Sequence, residues 1–335
     1  NKDELRSRVK VLDCKTRVFE QPGLEYTLLV RKYFGGFLDY FKTYGGFGLY
    51  HGIGMDKEVV WNAYREVFVQ NSAHGHAFDY KNWDGCVSAD AFQFFEDVVN
   101  KFYTNASVGE CNARSALLRV LRDANHIMGP YFYQSGKGNK SGNPFTDVFN
   151  SVCNFYIMAV AYLKSRTMAG LPAHMYVFDE NIKMLTYGDD IIMTVKPSHL
   201  EFFNGPVIQD ILSLYGYTIT DALKSKEIPL FSTFGELTFL KSPFIYQDGV
   251  CLAPLPKQDI YKELCYAPKQ VLTDSEDVQQ RIQNVCRFMS HHGEDALNVF
   301  KRQLVSRGID RAWLSTSYST FINDLREKQS RAVIY

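Results

Sequence analysis

The sequence predicts an α+β fold in which an antiparallel sheet is flanked by helices and followed by an all-helical C-terminal unit. Three observations carry that prediction. KMLTY and IIMTV, on either side of Gly188-Asp189-Asp190, are apolar, β-prone runs that read as a tight hairpin. FTDVFNSVCNFYIMAVAYLKSR, 145–166, keeps apolar residues at helical spacing over about six turns, the pattern of a long helix with a mostly buried body. Beyond Lys257 the pattern stays helical through KQDIYKELCYA, SEDVQQRIQNVCRFMSHHG, EDALNVFKRQLVSRG and RAWLSTSYSTFINDLREKQ, with Gly293 and Gly308 as helix stops.

The remaining elements follow in chain order. VKVLDCKTRVFE, 9–20, reads as extended structure, and HAFDYKNW, 76–83, as a strand leading through a turn into a helix around ADAFQFFEDVVNKFY. The Gly-rich run QSGKGNKSGNP, 134–144, is a loop. GELTFLKSPFIYQDGVCLAP, 235–254, reads as a second hairpin with Gln247-Asp248-Gly249 in its turn. With no internal repeat and no long linker, the two or three subdomains that 335 residues allow interleave along the chain.

Composition removes several classes. Hydrophobic residues at 46% and charged residues at 22% exclude a disordered chain. The 37 basic residues equal the 37 acidic ones, so any claim of nucleic-acid binding must rest on where charges stand. Their placement is uneven: Lys2, Arg6, Arg8, Lys10, Lys15 and Arg17 crowd the first segment, which a solvated charged face would also explain. The seven scattered cysteines contain no C-x-x-C pair, which argues for a reducing compartment and against structural zinc. FYIMAVAYL, 155–163, is too short an apolar run to cross a bilayer, so the chain reads as soluble. It starts at Asn1, inside a charged segment and without a Met, as a piece of something longer would.

Chemistry concentrates in the acids. Asp189 and Asp190 set like charges side by side among apolar residues, which costs free energy unless a cation or hydrogen-bond donors compensate. A solvated hairpin tip is the other reading of that segment. Asp79 closes the predicted strand, with Asp84 five residues on. A strand end beside a hairpin tip in one sheet would gather Asp79, Asp189 and Asp190, and such a set of hard oxygen ligands suits Mg²⁺. The reaction implied is two-metal phosphoryl or nucleotidyl transfer, with one ion activating a hydroxyl and the other neutralising the leaving pyrophosphate.

These residues resemble the motifs of viral RNA-dependent RNA polymerases of the picornavirus-like group, in order and over nearly the whole chain. YGDD at 187–190 resembles motif C and DYKNWD at 79–84 motif A. SGNPFTDVFN at 141–150 follows the motif B pattern S-G-x3-T-x3-N. KDELRSRVKVLDCKTRVFE at 2–20 resembles motif F, YGYTITDALKS at 215–225 motif D, and FLKSPF at 239–244 motif E. YGDD alone is a weak signal; six motifs in the family's order are a specific one. Two positions depart from the pattern: Asp147 stands where many relatives have Ser, and Ser242 where picornaviral enzymes often carry Arg. The family's N-terminal fingers have no counterpart in the sequence.

The resemblance implies a right-hand polymerase of fingers, palm and thumb, with an antiparallel palm sheet flanked by helices and a helical thumb. Its divisions would be a fingers segment at 1–68, palm at 69–98, a fingers insertion at 99–139, palm at 140–250 and thumb at 251–335. It implies template-directed RNA synthesis from NTPs, with Asp79, Asp189 and Asp190 holding two Mg²⁺ ions, Mn²⁺ being the alternative metal. Asp84, Ser141, Thr146 and Asn150 would recognise the ribose hydroxyls, and the 2′-OH both donates and accepts. Lys2, Arg6, Lys10 and Arg17 would neutralise the triphosphate. Lys224 would protonate the leaving pyrophosphate as general acid, against a solvated loop lysine as the other reading. Lys241 would lie near the primer 3′ end, and His291 and His292 would be structural.

The same resemblance implies RNA template and primer as partners, a small genome-linked protein as primer, and other replication proteins of one polyprotein. It places the work in host cytoplasm at membrane-associated replication complexes. A reverse transcriptase shares the palm and a Y-x-D-D hairpin, but such enzymes set bulk against the 2′ position where Asp84 and Asn150 are polar. A metal-dependent phosphohydrolase would explain the acids and not the 141–150 loop-helix pattern. A catalytically silent RNA-binding fragment is the third alternative.

Overall fold

The computed structural model describes residues 8–13, 20–222, 227–265 and 275–334. At its centre lies a five-stranded antiparallel sheet of β1 (His74–Tyr80), β4 (Ile182–Tyr187), β5 (Asp190–Val195), β6 (Ile219–Asp221) and β7 (Ser232–Thr233). The order is β4-β5-β1-β6, with β7 also pairing β1. Between β1 and β4 a small hairpin joins β2 (Asn125–Met128) to β3 (Tyr131–Gln134). Alternation sorts the sheet's side chains. Phe78, Met184, Ile191 and Met193 enter one buried cluster, whereas Ala77, Leu185 and Ile192 enter another on the opposite face. A slip of one residue would exchange the two sets, so the register is firmly specified.

Helices cover both faces. The first cluster packs the sheet against α2 (Leu24–Thr43), α5 (Ala89–Phe102), α6 (Val108–Arg122), α7 (Thr146–Met168) and α10 (Gly205–Leu214). Shorter helices α1 (Arg8–Leu12), α4 (Trp83–Cys86), α8 (Phe178–Asn181) and α9 (Pro197–Leu200) punctuate the connections. The opposite face meets α3 (Lys57–Asn71), through Val60, Trp61, Tyr64 and Phe68. Its start is specified locally: Asp56 accepts the Glu58 N–H at 2.9 Å as an N-cap.

Two of the sequence expectations need correction. Within 9–20, the described residues up to Leu12 form the exposed helical turn α1 instead of extended structure; Leu, Lys and Arg favour helix and no strand of the sheet pairs with them. The segment 235–254 makes two short hairpins instead of one: β8 (Thr238–Phe239) with β9 (Ser242–Pro243), then β10 (Ile245–Gln247) with β11 (Val250–Leu252). Asp248 and Gly249 turn the second with φ of 54° and 77°, as a type I′ turn requires. The first turns on Leu240 and Lys241, at φ 50° and 64°. Neither residue favours that region, and the left-handed conformation costs roughly 1–2 kcal/mol apiece.

Beyond Lys257 the described residues are helical as expected, in α11 (Lys257–Cys265), α12 (Ser275–Ser290), α13 (Glu294–Ser306) and α14 (Tyr318–Ser330), except that RAWL makes a separate 3-10 turn, Arg311–Leu314, before α14 begins. The first three share a core of Ile260, Val285, Met289, Leu297 and Phe300. α14 lies on β11 and α3. The joint is a charge cluster on Glu58, which is 14% exposed. Arg287 donates two hydrogen bonds to it at 2.6 Å each, and Lys328 donates a third at 2.7 Å. His291 accepts the Ala253 N–H at Nδ1 and turns Nε2 toward Glu58 at 3.5 Å, and His292 contacts the Leu255 carbonyl at 2.7 Å.

Burial alone would raise the Glu58 carboxyl, but its bonds to His291, Arg287 and Lys328 outweigh that and hold it well below its ordinary 4.5. A depressed carboxyl contributes stability that is complete above about 4.5, its unfolded value, and is lost as pH falls toward the folded one. Glu58→Gln is therefore expected to lower the melting temperature at neutral pH by roughly 4 °C, for a loss of about 2 kcal/mol. It should also flatten the loss of stability below pH ~4.5. Melting curves from neutral pH down to 3 check this, and an unaltered acid limb would remove Glu58 as the joint.

Candidate active site

The register of the sheet assembles the acids. β1 pairs β5 through Phe78↔Ile191, and one step further along the same register sets Asp79 beside Asp190. Tyr187 pairs Asp190, so only Gly188 and Asp189 form the hairpin turn and Asp190 already belongs to β5. On the other side of β1, Asp79 faces Thr220 of β6. Asp79 and Asp190 open with Lys241, Ala222, Phe239 and Pro256 onto a cleft of about 440 Å³. Asp189 stands exposed at the turn.

The half-buried Asp190 carboxyl is pushed up to about 6, by burial first and then by the charges of Asp189 and Asp79, with Lys241 and Lys57 opposing. Among the described residues no three His, Cys, Asp or Glu side chains stand at metal-holding spacing. The backbone thus brings the carboxylates together, and their side chains are not closed on one point. A charge environment that resists ionisation, with oxygen donors only, is the one a hard divalent cation fits.

The hairpin turn is gripped from below by α7. The fully buried Asn154 donates from Nδ2 to the carbonyls of Gly188 and Asp189, both at 3.1 Å, and accepts the Tyr80 hydroxyl at 3.0 Å. One turn earlier, Ser151 Oγ accepts the Gly188 N–H at 2.8 Å. Gly188 takes φ 63°, a conformation that glycine adopts without penalty. From the side, Thr186 bonds the Tyr50 carbonyl through both its N–H and its hydroxyl, at 2.8 and 2.9 Å.

The four residues expected at the ribose come from three elements: Asp84 from α4, Ser141 from the glycine-rich loop, and Thr146 and Asn150 from α7. Ser141 donates its hydroxyl to Asp84 at 2.7 Å. Asn150 accepts from Asn139 at 2.7 Å, and Asn139 in turn accepts from Asn143 at 2.8 Å. Thr146 donates to the Asn143 carbonyl at 2.9 Å. Gly138 lets the loop approach: its N–H bonds the Val87 carbonyl at 2.9 Å, and a Cβ there would fall 2.4 Å from the Asp84 carbonyl oxygen. Asp147, the departure noted above, pairs with Lys42 at 3.0 Å.

Other expected residues fall elsewhere. Lys241 turns to Asp259 of α11 at 3.0 Å while bordering the cleft. Lys10 stands exposed on α1, which buries none of its residues, and no contact among those described ties it to the acids. Lys2, Arg6, Arg17 and Lys224 lie outside the described residues. Sequence reasoning missed Asn154, Ser151, Asn139, Asn143 and Lys57. For Asn154 a signal existed: it follows Asn150 by four residues and so shares its helix face.

A family model described as viral RNA-dependent RNA polymerase matches residues 1–309. The chain belongs to that family. It is 27% identical over 330 residues to the genome polyprotein of Human rhinovirus 16, a match that covers 98% of this chain and 14% of the polyprotein. To the replicase polyprotein of Cricket paralysis virus it is 28% identical over 310 residues, 88% of this chain and 17% of that one. The structure titled Sicinivirus 3Dpol RNA dependent RNA polymerase matches with a TM-score of 0.76 at 19% identity, over 98% of this chain and 66% of that one. The fold is therefore the right-hand polymerase fold, and the family member is of the picorna-like group. The chain spans about a seventh of the rhinovirus polyprotein and two thirds of the Sicinivirus polymerase.

Proposed function

We propose that this chain carries out template-directed RNA synthesis, transferring a nucleotidyl group from an NTP to an RNA 3′-OH with release of pyrophosphate. The observation that carries the proposal is the register setting Asp79 beside Asp190 at a turn locked by Asn154 and Ser151. Asp79, Asp189 and Asp190 would hold two divalent ions, Mg²⁺ or Mn²⁺, which when bound lower the pKa of the attacking hydroxyl and neutralise the leaving pyrophosphate. The chain's own part is to keep these carboxylates fixed before substrate arrives, so that little reorganisation accompanies the reaction. Lys2, Arg6, Lys10 and Arg17 serve the triphosphate, Lys224 supplies the proton to pyrophosphate, and Lys241 meets the primer strand.

Sugar selection falls to Asp84 with Ser141, Thr146 and Asn150. The Ser141 hydroxyl already bonds Asp84, leaving a polar surface that can pair with a 2′-OH. A reverse transcriptase is disfavoured, because a polar, hydrogen-bonding 2′ site gives a ribose an advantage that bulk would remove. The divisions follow the hand: fingers segments at 1–68 and 99–139, palm at 69–98 and 140–250, thumb at 251–335. RNA template and primer, a genome-linked protein primer and companion replication proteins are the partners in this reading. Its setting is the host cytoplasm, at membrane-associated complexes; no helix among the described residues is long and apolar enough to cross a membrane.

The test is competition between NTP and dNTP during primer extension on RNA. Asp84→Ala is expected to erode the preference for NTP by roughly tenfold, the effect of losing one hydrogen bond to a charged group. A ratio equal to that of the unaltered protein would take Asp84 out of sugar recognition.

A further inference from the structure

Lys57 opens α3, and its ammonium crosses to the β8–β9 turn. It donates to the Leu240 carbonyl at 2.8 Å and to the Ser242 hydroxyl at 3.1 Å. The same ammonium lies over the Trp61 ring, 5.1 Å from the centroid, and Trp61 donates its indole N–H to the Pro243 carbonyl at 3.0 Å. α3 therefore holds the turn at three successive points, with Lys241 suspended between the two that Lys57 binds. Ser242 is fully buried, whereas Lys241 is exposed at the edge of the cleft that contains Asp79 and Asp190.

The turn needs such a hold. Leu240 and Lys241 both sit at positive φ, and neither is a residue that settles there unaided. A strained conformation persists only where its surroundings over-determine it. Here the surroundings are one ammonium with two acceptors on either side of Lys241, backed by an aromatic face. Nothing in the local sequence FLKSPF specifies this turn, so its geometry is imposed from α3.

We infer that Lys57 is a positioning residue that fixes the Leu240–Lys241 turn and thereby aims Lys241 at the backbone of the primer strand beside the acids. The inference rests on the RNA-synthesis reading above. Lys57 acts on Lys241 through the turn, because its hydrogen bonds go to Leu240 and Ser242, while its charge also bears on Asp190.

The experiment uses full-length protein stalled on an RNA primer–template, with the lifetime of the complex and the KM for the next NTP measured separately. Lys57→Met is expected to shorten the lifetime roughly tenfold, the scale of losing hydrogen bonds from a charged group. The KM for NTP should stay within about twofold, since nucleotide binding is not what the turn serves. Lys57→Arg keeps a donor and a charge and should recover most of the lifetime. Ser242→Ala removes one of the two acceptors and should shorten it about threefold in the same direction. If Lys57→Met fails to fold, Lys57→Arg and Ser242→Ala decide the matter. An unchanged lifetime in Ser242→Ala, or lifetime and KM worsening together in any variant, overturns the inference. Absence of extension by the unaltered protein would overturn the RNA-synthesis reading instead.

Discussion

Asp189→Asn is expected to reduce template-directed incorporation by roughly 10³-fold or more while RNA binding stays within about twofold. The substitution keeps the size and shape of the side chain and removes its charge. A carboxylate that holds a catalytic cation supports several kcal/mol of transition-state stabilisation, and each ~1.4 kcal/mol is a factor of ten in rate. RNA affinity, by contrast, depends on cations spread over a long surface, to which one turn residue contributes little. Single-turnover incorporation and a filter-binding titration on the same preparation separate the two effects. Synthesis retained at a tenth of the original rate would sink the role of Asp189.

Asn154→Leu should be nearly as damaging without touching an acid. Asn154 is fully buried and supplies donors to the Gly188 and Asp189 carbonyls and an acceptor to Tyr80. Leucine fills the space but leaves those groups short of a partner, at roughly 1–3 kcal/mol for each buried polar group stranded. The turn that carries Asp189 is then free to shift, and a misplacement of about 1 Å can cost 10²-fold in rate. Incorporation is expected to fall on the order of 10²-fold, with the NTP to dNTP preference unaltered because Asp84 and Ser141 lie outside α7 and bond each other. A variant that melts lower but incorporates at the original rate would show that the clamp matters to folding alone.

The candidate site was legible where chemistry is written locally. Asp79 and the Asp189-Asp190 pair stand at a strand end and a hairpin tip, and apolar, β-prone runs flag the two strands of the hairpin. The long helix after the glycine-rich loop was equally plain, because its apolar face recurs with helical period. What stayed hidden is held by contacts distant in sequence. Leu240-Lys241 carries no turn signal, and the lysine that fixes it lies 183 residues earlier. Lys57 and Glu58 carry no local signal in the sequence, yet one reaches the β8–β9 turn and the other joins α3 to α12 and α14. Asn154 resembles any polar residue on a helix until the turn above it is in place.

The measurement that bears most directly on the central claim is primer extension by the full-length protein on an RNA template with Mg²⁺, comparing NTPs with dNTPs. The account predicts Mg²⁺-dependent elongation with NTPs, loss of that elongation when Asp79 or Asp189 is changed to Asn, and poor use of dNTPs. Elongation that persists in either variant, or that prefers dNTPs, would contradict it.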